Sequence, residues 1–265
     1  MRYAFMSFSC PELTLAEMLA LARRLGYDGI EPRLASQHRH AIESDIDAAT
    51  RREVRRQVAD SGVVLACLAT SCRYADPATV QANVAETRRC LDLAADLGCP
   101  RLRVFGGAIP PRVSREQAID QVSEALRSLA GQASEQGVTL CCETHDDWTL
   151  PAHWAEVMRR VNSPSVAVNW DVMHPVRQSR VTMDQAFETL RPWIRHVHVH
   201  DGVDVQGQLV LKPIGQGAID HRRVVQLLKA AGYDGFISGE WIGWEPYQAH
   251  LPRELATLKQ YEQAE

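Results

Sequence analysis

A (β/α)8 barrel, the TIM-barrel class, is the fold this sequence predicts, and three observations predict it. Helical patterns stop at Gly26, Gly62, Gly98, Gly137 and Gly232, and each glycine leads within a few residues into an apolar strand-like run, as expected where Gly supplies the left-handed helix stop. The first four stops are 36, 36 and 39 residues apart, about the length of one strand, loop and helix. The phrases GYDGIE (26–31) and GYDGFISGE (232–240) make two of these units visibly similar.

Eight strand candidates follow, at about 3–8, 28–31, 63–69, 101–105, 138–143, 166–171, 194–200 and 235–240, each succeeded by a helical pattern. Where glycine stops are missing, breakers replace them: Asn162-Ser163-Pro164 precedes VAVNWD and Pro192 precedes IRHVHVH. Helix starts carry their own signals. Thr14 with Glu17, Ser114 with Gln117 and Thr182 with Gln185 fit the capping box, and Asp220 fits an N-cap. Leu15, Met18, Leu19, Ala22 and Leu25 share one face of the first helix, as do Ile119, Val122, Leu126, Leu129 and Ala133 of the fourth. No linker or composition shift divides the chain, so one domain over 1–265 is expected.

Composition limits the function. The 265 residues are 45% hydrophobic and 23% charged, ample to bury a core. A net charge of −4 without a Lys/Arg-rich block gives no electrostatic footprint for nucleic acid or an anionic membrane. No apolar run approaches the roughly 20 residues that span a bilayer, and MRYAFMSFSC lacks the pattern of a signal peptide. A cytoplasmic location and a small-molecule partner are therefore expected; a homo-oligomer is the one protein partnership left open. Seven cysteines at irregular spacing without a CxxC read as buried thiols.

The chemistry gathers at four strand ends. TLCCE, SVAVNWD, IRHVHVHD and GFISGE bring Glu143, Asp171, a histidine and Glu240 to the C-terminal ends of the fifth to eighth strands, where a barrel of this class places its active site. Alternation puts Glu143 on the inward face with Cys141 and Thr139, Asp171 with Asn169, and Glu240 with Ser238, while Cys142, Leu140, Trp170, Val168 and Ile237 face the helices. His196, His198 and His200 all have inward parity, and parity alone does not choose among them. A lone acid at a strand end more often caps a loop or joins a salt bridge; four such ends on successive strands outweigh that reading. Three carboxylates and an imidazole suit Mn²⁺, Mg²⁺ or Co²⁺ at five or six coordination better than a closed structural zinc site.

Other groups fall at the predicted mouth: Glu31, Arg33, His38 and His40 after the second strand, Arg103 in the fourth, His145 and Trp148 after the fifth, Lys212 in the seventh loop, and Trp241 and Trp244 after the eighth. Arg33 and Lys212 suit a carboxylate or phosphate, against the plain alternative of solvated loop charges. Arg103 either neutralises the acids or touches substrate. His196 reads as a satisfied core histidine and His200 as a ligand support or substrate contact, whereas the tryptophans read as apolar walls. Gly106-Gly107 lacks a phosphate-loop pattern and reads as a place of close backbone approach.

Taken in order, GYDGIE, E-x-H at Glu143 to His145, D-x-x-H at Asp171 to His174, H-x-H-D at His198 to Asp201, GQGAID from Gly215 to Asp220 and the final GYDG…E resemble the xylose-isomerase-like TIM-barrel superfamily, the sugar phosphate isomerase/epimerase group, over essentially the whole chain. The resemblance implies that Glu143, Asp171, His198 and Glu240 bind one divalent metal, that Glu143 and Glu240 transfer protons and that His174 contacts substrate oxygens. It thereby selects His198 from the three histidines. Mn²⁺ is the expected ion, with Mg²⁺, Co²⁺ and Zn²⁺ as alternatives; His145, His200, Arg33, His40, Arg103, Lys212 and Trp241 complete the expected substrate contacts.

A metal chelating a carbonyl and its neighbouring hydroxyl acidifies the adjacent C–H and stabilises an enediolate, which two flanking carboxylates can form from one face and reprotonate from the other. An isomerase or epimerase of a sugar or other polyhydroxy carbonyl compound is the expectation, with a dehydratase of the inosose or dehydroshikimate type as the alternative. Two departures argue against a free ketohexose: Thr149 and Asp204 stand where ketose 3-epimerases carry a substrate glutamate and arginine. The related apurinic endonucleases need further histidines after the third and fourth strands, where this chain reads LATSC and VFGGA. A barrel that only binds a ligand would have little use for a complete metal tetrad.

Overall fold

The computed structural model describes residues 1–264, and it is a nearly closed parallel barrel wrapped by helices. The strands are β1 (Arg2–Met6), β2 (Gly29–Glu31), β3 (Val64–Leu65), β4 (Leu68–Arg73), β5 (Arg101–Phe105), β6 (Thr139–Glu143), β7 (Val166–Asp171), β8 (Ile194–Val199) and, after a two-stranded insertion β9 (Asp201–Val205) and β10 (Gln208–Lys212), β11 (Phe236–Gly239). Around the ring the order is β3-β2-β1-β11-β8-β7-β6-β5-β4. Among the described residues nine strands form the ring where eight were expected, because the third is split. Pro32 has no N–H to give the ladder at the level of the break, and the chain re-enters register when Ala69 N donates to Pro32 O (2.9 Å) and Leu34 N to Ala69 O (2.9 Å). The Arg33–Ala69 bridge closes the ring there.

The helices are α1 (Leu15–Leu25), α2 (Ala48–Ser61), α3 (Val80–Leu97), α4 (Arg115–Glu135), α5 (Pro151–Val161), α6 (Met173–Ser179), α7 (Met183–Leu190), α8 (His221–Ala230) and α9 (Tyr247–Gln263). All three expected capping boxes form, and Asp220 accepts from Arg223 N (2.9 Å) as an N-cap. Inward and outward residues separate as alternation requires. Leu140, Cys142, Val168, Trp170 and Ile237 belong to the core between sheet and helices, whereas Ala4, Ala66 and Phe236 form a separate inner cluster. A Cβ on Gly29 would lie 2.8 Å from the Phe236 ring, so the smallest residue makes room for this plug. Four residues beyond Phe236 on the same face comes Glu240, at the opposite end of the lumen. Among the described residues all seven cysteines are free and buried, and no helix is long and apolar enough to cross a membrane.

Two elements beyond the expected plan lie next to the mouth. In the β9–β10 hairpin, Gln206 and Gly207 both have positive φ (52° and 82°), as a two-residue turn between right-twisted strands demands. The short helix α6 starts directly after Asp171, whose Oδ1 accepts from Met173 N (2.9 Å) and His174 N (3.2 Å).

Candidate metal and active site

Strands β6, β7, β8 and β11 are consecutive neighbours, and they present Glu143, Asp171, His198 and Glu240 to one point. One ligand atom from each lies within 4.8 Å of the others, and all four residues are buried. Register explains the convergence: Asp171 pairs with His198 across β7 and β8, and His198 with Ser238 across β8 and β11. His198 Nδ1 lies 3.2 Å from Glu143 Oε1 and 3.3 Å from Glu240 Oε2. Glu143 Oε2 and Asp171 Oδ2 make no well-aligned hydrogen bond and are met only by the charged neighbours Arg103 Nε (3.2 Å) and His200 Nε2 (2.9 Å), so three buried carboxylates and one imidazole converge with acceptor capacity left over. This donor set fits a divalent ion.

Charge holds two of the acids, Glu143 and Asp171, ionised. Burial alone would raise the Glu143 carboxyl, but Arg103 and His198 outweigh it and bring it down to about 2. Arg103 Nε sits 3.2 Å from Glu143 Oε2 with both side chains buried, and its guanidinium lies over the Phe105 ring at 4.1 Å. Asp171 is likewise held below the usual range, His200 (Nε2 to Oδ2 2.9 Å) and His174 overcoming its burial. His198 moves the opposite way: burial lowers it, and Glu31 and Glu143 raise it well above an ordinary imidazole.

The other expected residues are distributed around this centre. His174 Nε2 is 4.0 Å from Asp171 Oδ2, and its ring stands edge-on between those of His145 (4.6 Å) and His200 (5.5 Å). His145 pairs with Asp146 (2.9 Å); burial opposes its protonation, but Asp146 and Glu143 raise it to about 9. Arg33 reaches Ser71 Oγ and the Leu34 and Ala69 carbonyls, and burial with the nearby Arg103 lowers it to about 10. His40 is buried, accepts from Ile42 N through Nδ1 (3.0 Å) and lies 5.7 Å ring to ring from His38. Lys212 ends β10 opposite Asp201. Trp241 folds back against Gly239, its ring 5.2 Å from that of His250. Gly106 is the place of close approach: a Cβ there would lie 2.3 Å from Trp148 Nε1, which donates to Gly107 O (2.8 Å).

Two carboxylates have structural parts that their motifs did not reveal. Glu31 crosses the lumen to His196 Nε2 (2.8 Å) and His198 Nε2 (3.0 Å) instead of pointing out with the loop. Its place after the outward Ile30 gave it inward parity, which was the available signal. Asp201 accepts from the N–H groups of Gly202 (2.8 Å), Gly215 (2.9 Å), Gly217 (3.0 Å) and Ile219 (3.1 Å), so the GQGAID segment wraps one buried carboxylate. A Cβ on Gly217 would come within 2.1 Å of Asp201 Oδ1.

The chain belongs to the xylose isomerase-like TIM-barrel family, whose model matches residues 19–261. Across 263 residues it is 21% identical to the 3-dehydroshikimate dehydratase of Bacillus anthracis, covering 92% of this chain and 91% of the relative. Among solved structures, an L-ribulose 3-epimerase superposes with a TM-score of 0.81 at 19% identity, covering 98% of this chain and 94% of its own. The IOLI protein with a binding zinc atom superposes at 0.80 and 19% identity, covering 98% and 96%. These relatives and neighbours include a dehydratase and an epimerase, and the chain is an enzyme of this family.

Proposed function

We propose that this enzyme uses one divalent metal, held by Glu143, Asp171, His198 and Glu240, to enolise a polyhydroxy carbonyl substrate and so isomerise or epimerise it. The observation that carries the reading is the convergence of four buried ligand atoms within 4.8 Å from four neighbouring strands. Held by these four residues, an ion would supply a Lewis acid for the substrate carbonyl and for the negative charge left by proton removal. Glu143 and Glu240 stand on the outer two of those strands, so they flank the site. One carboxylate removes the proton from carbon and the other returns it to the opposite face. His174, beside Asp171, holds a substrate oxygen. Mn²⁺ is the ion we favour on the hardness of the donors; the cytoplasm is the location that fits a small-molecule enzyme of this composition.

Dehydration is the second reading, favoured by the dehydratase relative matched over 92% of the chain. The same enediolate expels a β-hydroxyl if a proton is delivered to it instead of to carbon. The substrate need not be a free ketohexose. Thr149 bonds Ser179 (2.8 Å) and Asp204 bonds Arg177 (2.7 Å), both on α6, so these positions brace a helix. Arg33, just beyond β2, supplies positive charge on the other side of the mouth, which suits an acidic sugar derivative, while Arg103 pairs with Glu143.

Incubating the Mn²⁺-loaded protein in heavy water with ketoses, inososes, 3-keto sugars and keto acids, followed by NMR, tests both readings. Deuterium should enter at the carbon beside a carbonyl, and product identity separates epimerisation from loss of water. Metal analysis should find about one equivalent, lost in Asp171→Ala and His198→Ala. Unchanged metal content in both variants, or no exchange with any of the panel, would overturn the proposal.

A further inference from the structure

Glu31 is fully buried at the end of β2, and two strands, β1 and β11, separate it in the ring from β8. Its contacts with β8 are therefore reached across the lumen. Oε2 lies 2.8 Å from His196 Nε2, and Oε1 and Oε2 lie 3.0 and 3.1 Å from His198 Nε2. The other nitrogen of His198, Nδ1, faces Glu143 and Glu240. An imidazole whose Nε2–H is donated to a carboxylate has its lone pair on Nδ1, so the partner on one side sets what the other side can bind.

We infer that Glu31 is a positioning residue that holds His198 as its Nε2–H tautomer, directing the Nδ1 lone pair to the metal, and that His196 is the second donor that fixes Glu31 in place. The inference rests on the metal site proposed above. A carboxylate suits the post because it accepts from two N–H groups at once, whereas an amide would set its own NH₂ against one of them. His196 lies one inward level deeper on the same strand, so both imidazoles approach Glu31 from β8, and neither can turn without abandoning a buried carboxylate.

Glu31, His196 and His198 also converge as a potential metal group of their own, and the experiment separates the two roles. Titrate metal-free wild type and Glu31→Gln with Co²⁺, reading stoichiometry by calorimetry and ligand geometry by the visible absorption of the ion. Wild type should bind one equivalent. Glu31→Gln should also bind one, about 10- to 100-fold more weakly and with an altered spectrum, while its circular dichroism matches wild type. Zn²⁺-loaded wild type provides a readout independent of any variant: long-range ¹H–¹⁵N correlation should show His198 protonated at Nε2.

Wild-type affinity and spectrum in Glu31→Gln, or a proton on Nδ1 of His198, would overturn the inference and leave the metal site standing. Two equivalents in wild type with one lost in Glu31→Ala would overturn it in favour of a second metal site. No binding by wild type would instead sink the metal reading and this inference with it.

Discussion

The two halves of the barrel mouth differ in charge and in how they are built. From β6 to β11 the contribution is Glu143, Asp171, His198 and Glu240, all at the ends of adjacent strands and fixed by register. From β2 to β5 it holds two cations, Arg33 just beyond β2 and Arg103 within β5 against Glu143, with one acid, Glu31, turned across the lumen to β8 and two imidazoles, His38 and His40, that burial holds below the ordinary value. Strand-borne acids are placed to within the tolerance that proton transfer and metal coordination need. A loop-borne cation tolerates more variation, as befits a group that selects among substrates. The difference suggests a division in which the acidic half performs the chemistry and the cationic half chooses what undergoes it.

The largest effect should come from the acidic half. Glu143→Gln and Glu240→Gln each keep shape but cannot accept a proton, so turnover should fall by about 10²- to 10⁴-fold while the remaining three ligands retain some metal. Steady-state kinetics with metal restored measures this. Near-normal turnover in Glu240→Gln would move the base elsewhere, with His145 and His200 the next groups to test.

A smaller, substrate-dependent effect is expected from Arg33→Met. Removing a charge-assisted hydrogen bond costs about 1.5–3 kcal/mol, so KM for an anionic substrate should rise roughly 10- to 100-fold, with kcat and the KM of a neutral analogue changed far less. Equal losses on charged and neutral substrates would remove Arg33 from recognition and weaken the division between the halves.

What was legible in the sequence follows the same line. Glycine stops, capping boxes and strand parity are local signals, and they located the barrel and the four strand ends. The split of the third strand was harder to see because it depends on Pro32 lacking a donor for the neighbouring strand, which is distant in the sequence. The β9–β10 hairpin had a local signal, alternating residues around Gln206-Gly207, but it stood inside a loop already assigned to the seventh unit. Glu31 was placed among the groups after the second strand and not as a partner of His198, since a contact across the lumen has no sequence spacing. Asp201 was visible in H-x-H-D, while its four backbone donors come together only when the glycine-rich segment closes on it.

The smallest effect concerns two imidazoles, His40 and His198, which are shifted in opposite directions. Burial lowers His198 and His200 too, but the acids raise both above the ordinary value. In the cationic half no acid of comparable weight stands beside His40, so burial and the neighbouring His38 lower it to about 4. Burial prevails at His174 and His196 as well, so the comparison is sharpest between His40 and His198. With its folded pKa below the unfolded value of about 6.5, His40 takes up a proton on unfolding between those two pH values. Its contribution to stability is therefore fully present above about pH 6.5 and is lost as the pH falls towards 4. The change His40→Asn keeps a side-chain acceptor for Ile42 N while removing the titration. Denaturant midpoints at pH 7.5 and 4.5 should fall further in wild type than in His40→Asn, and the imidazole should titrate near 4 by NMR. An ordinary titration near 6.5, with equal midpoint losses in the two proteins, would show that the loop after β2 leaves His40 in contact with water.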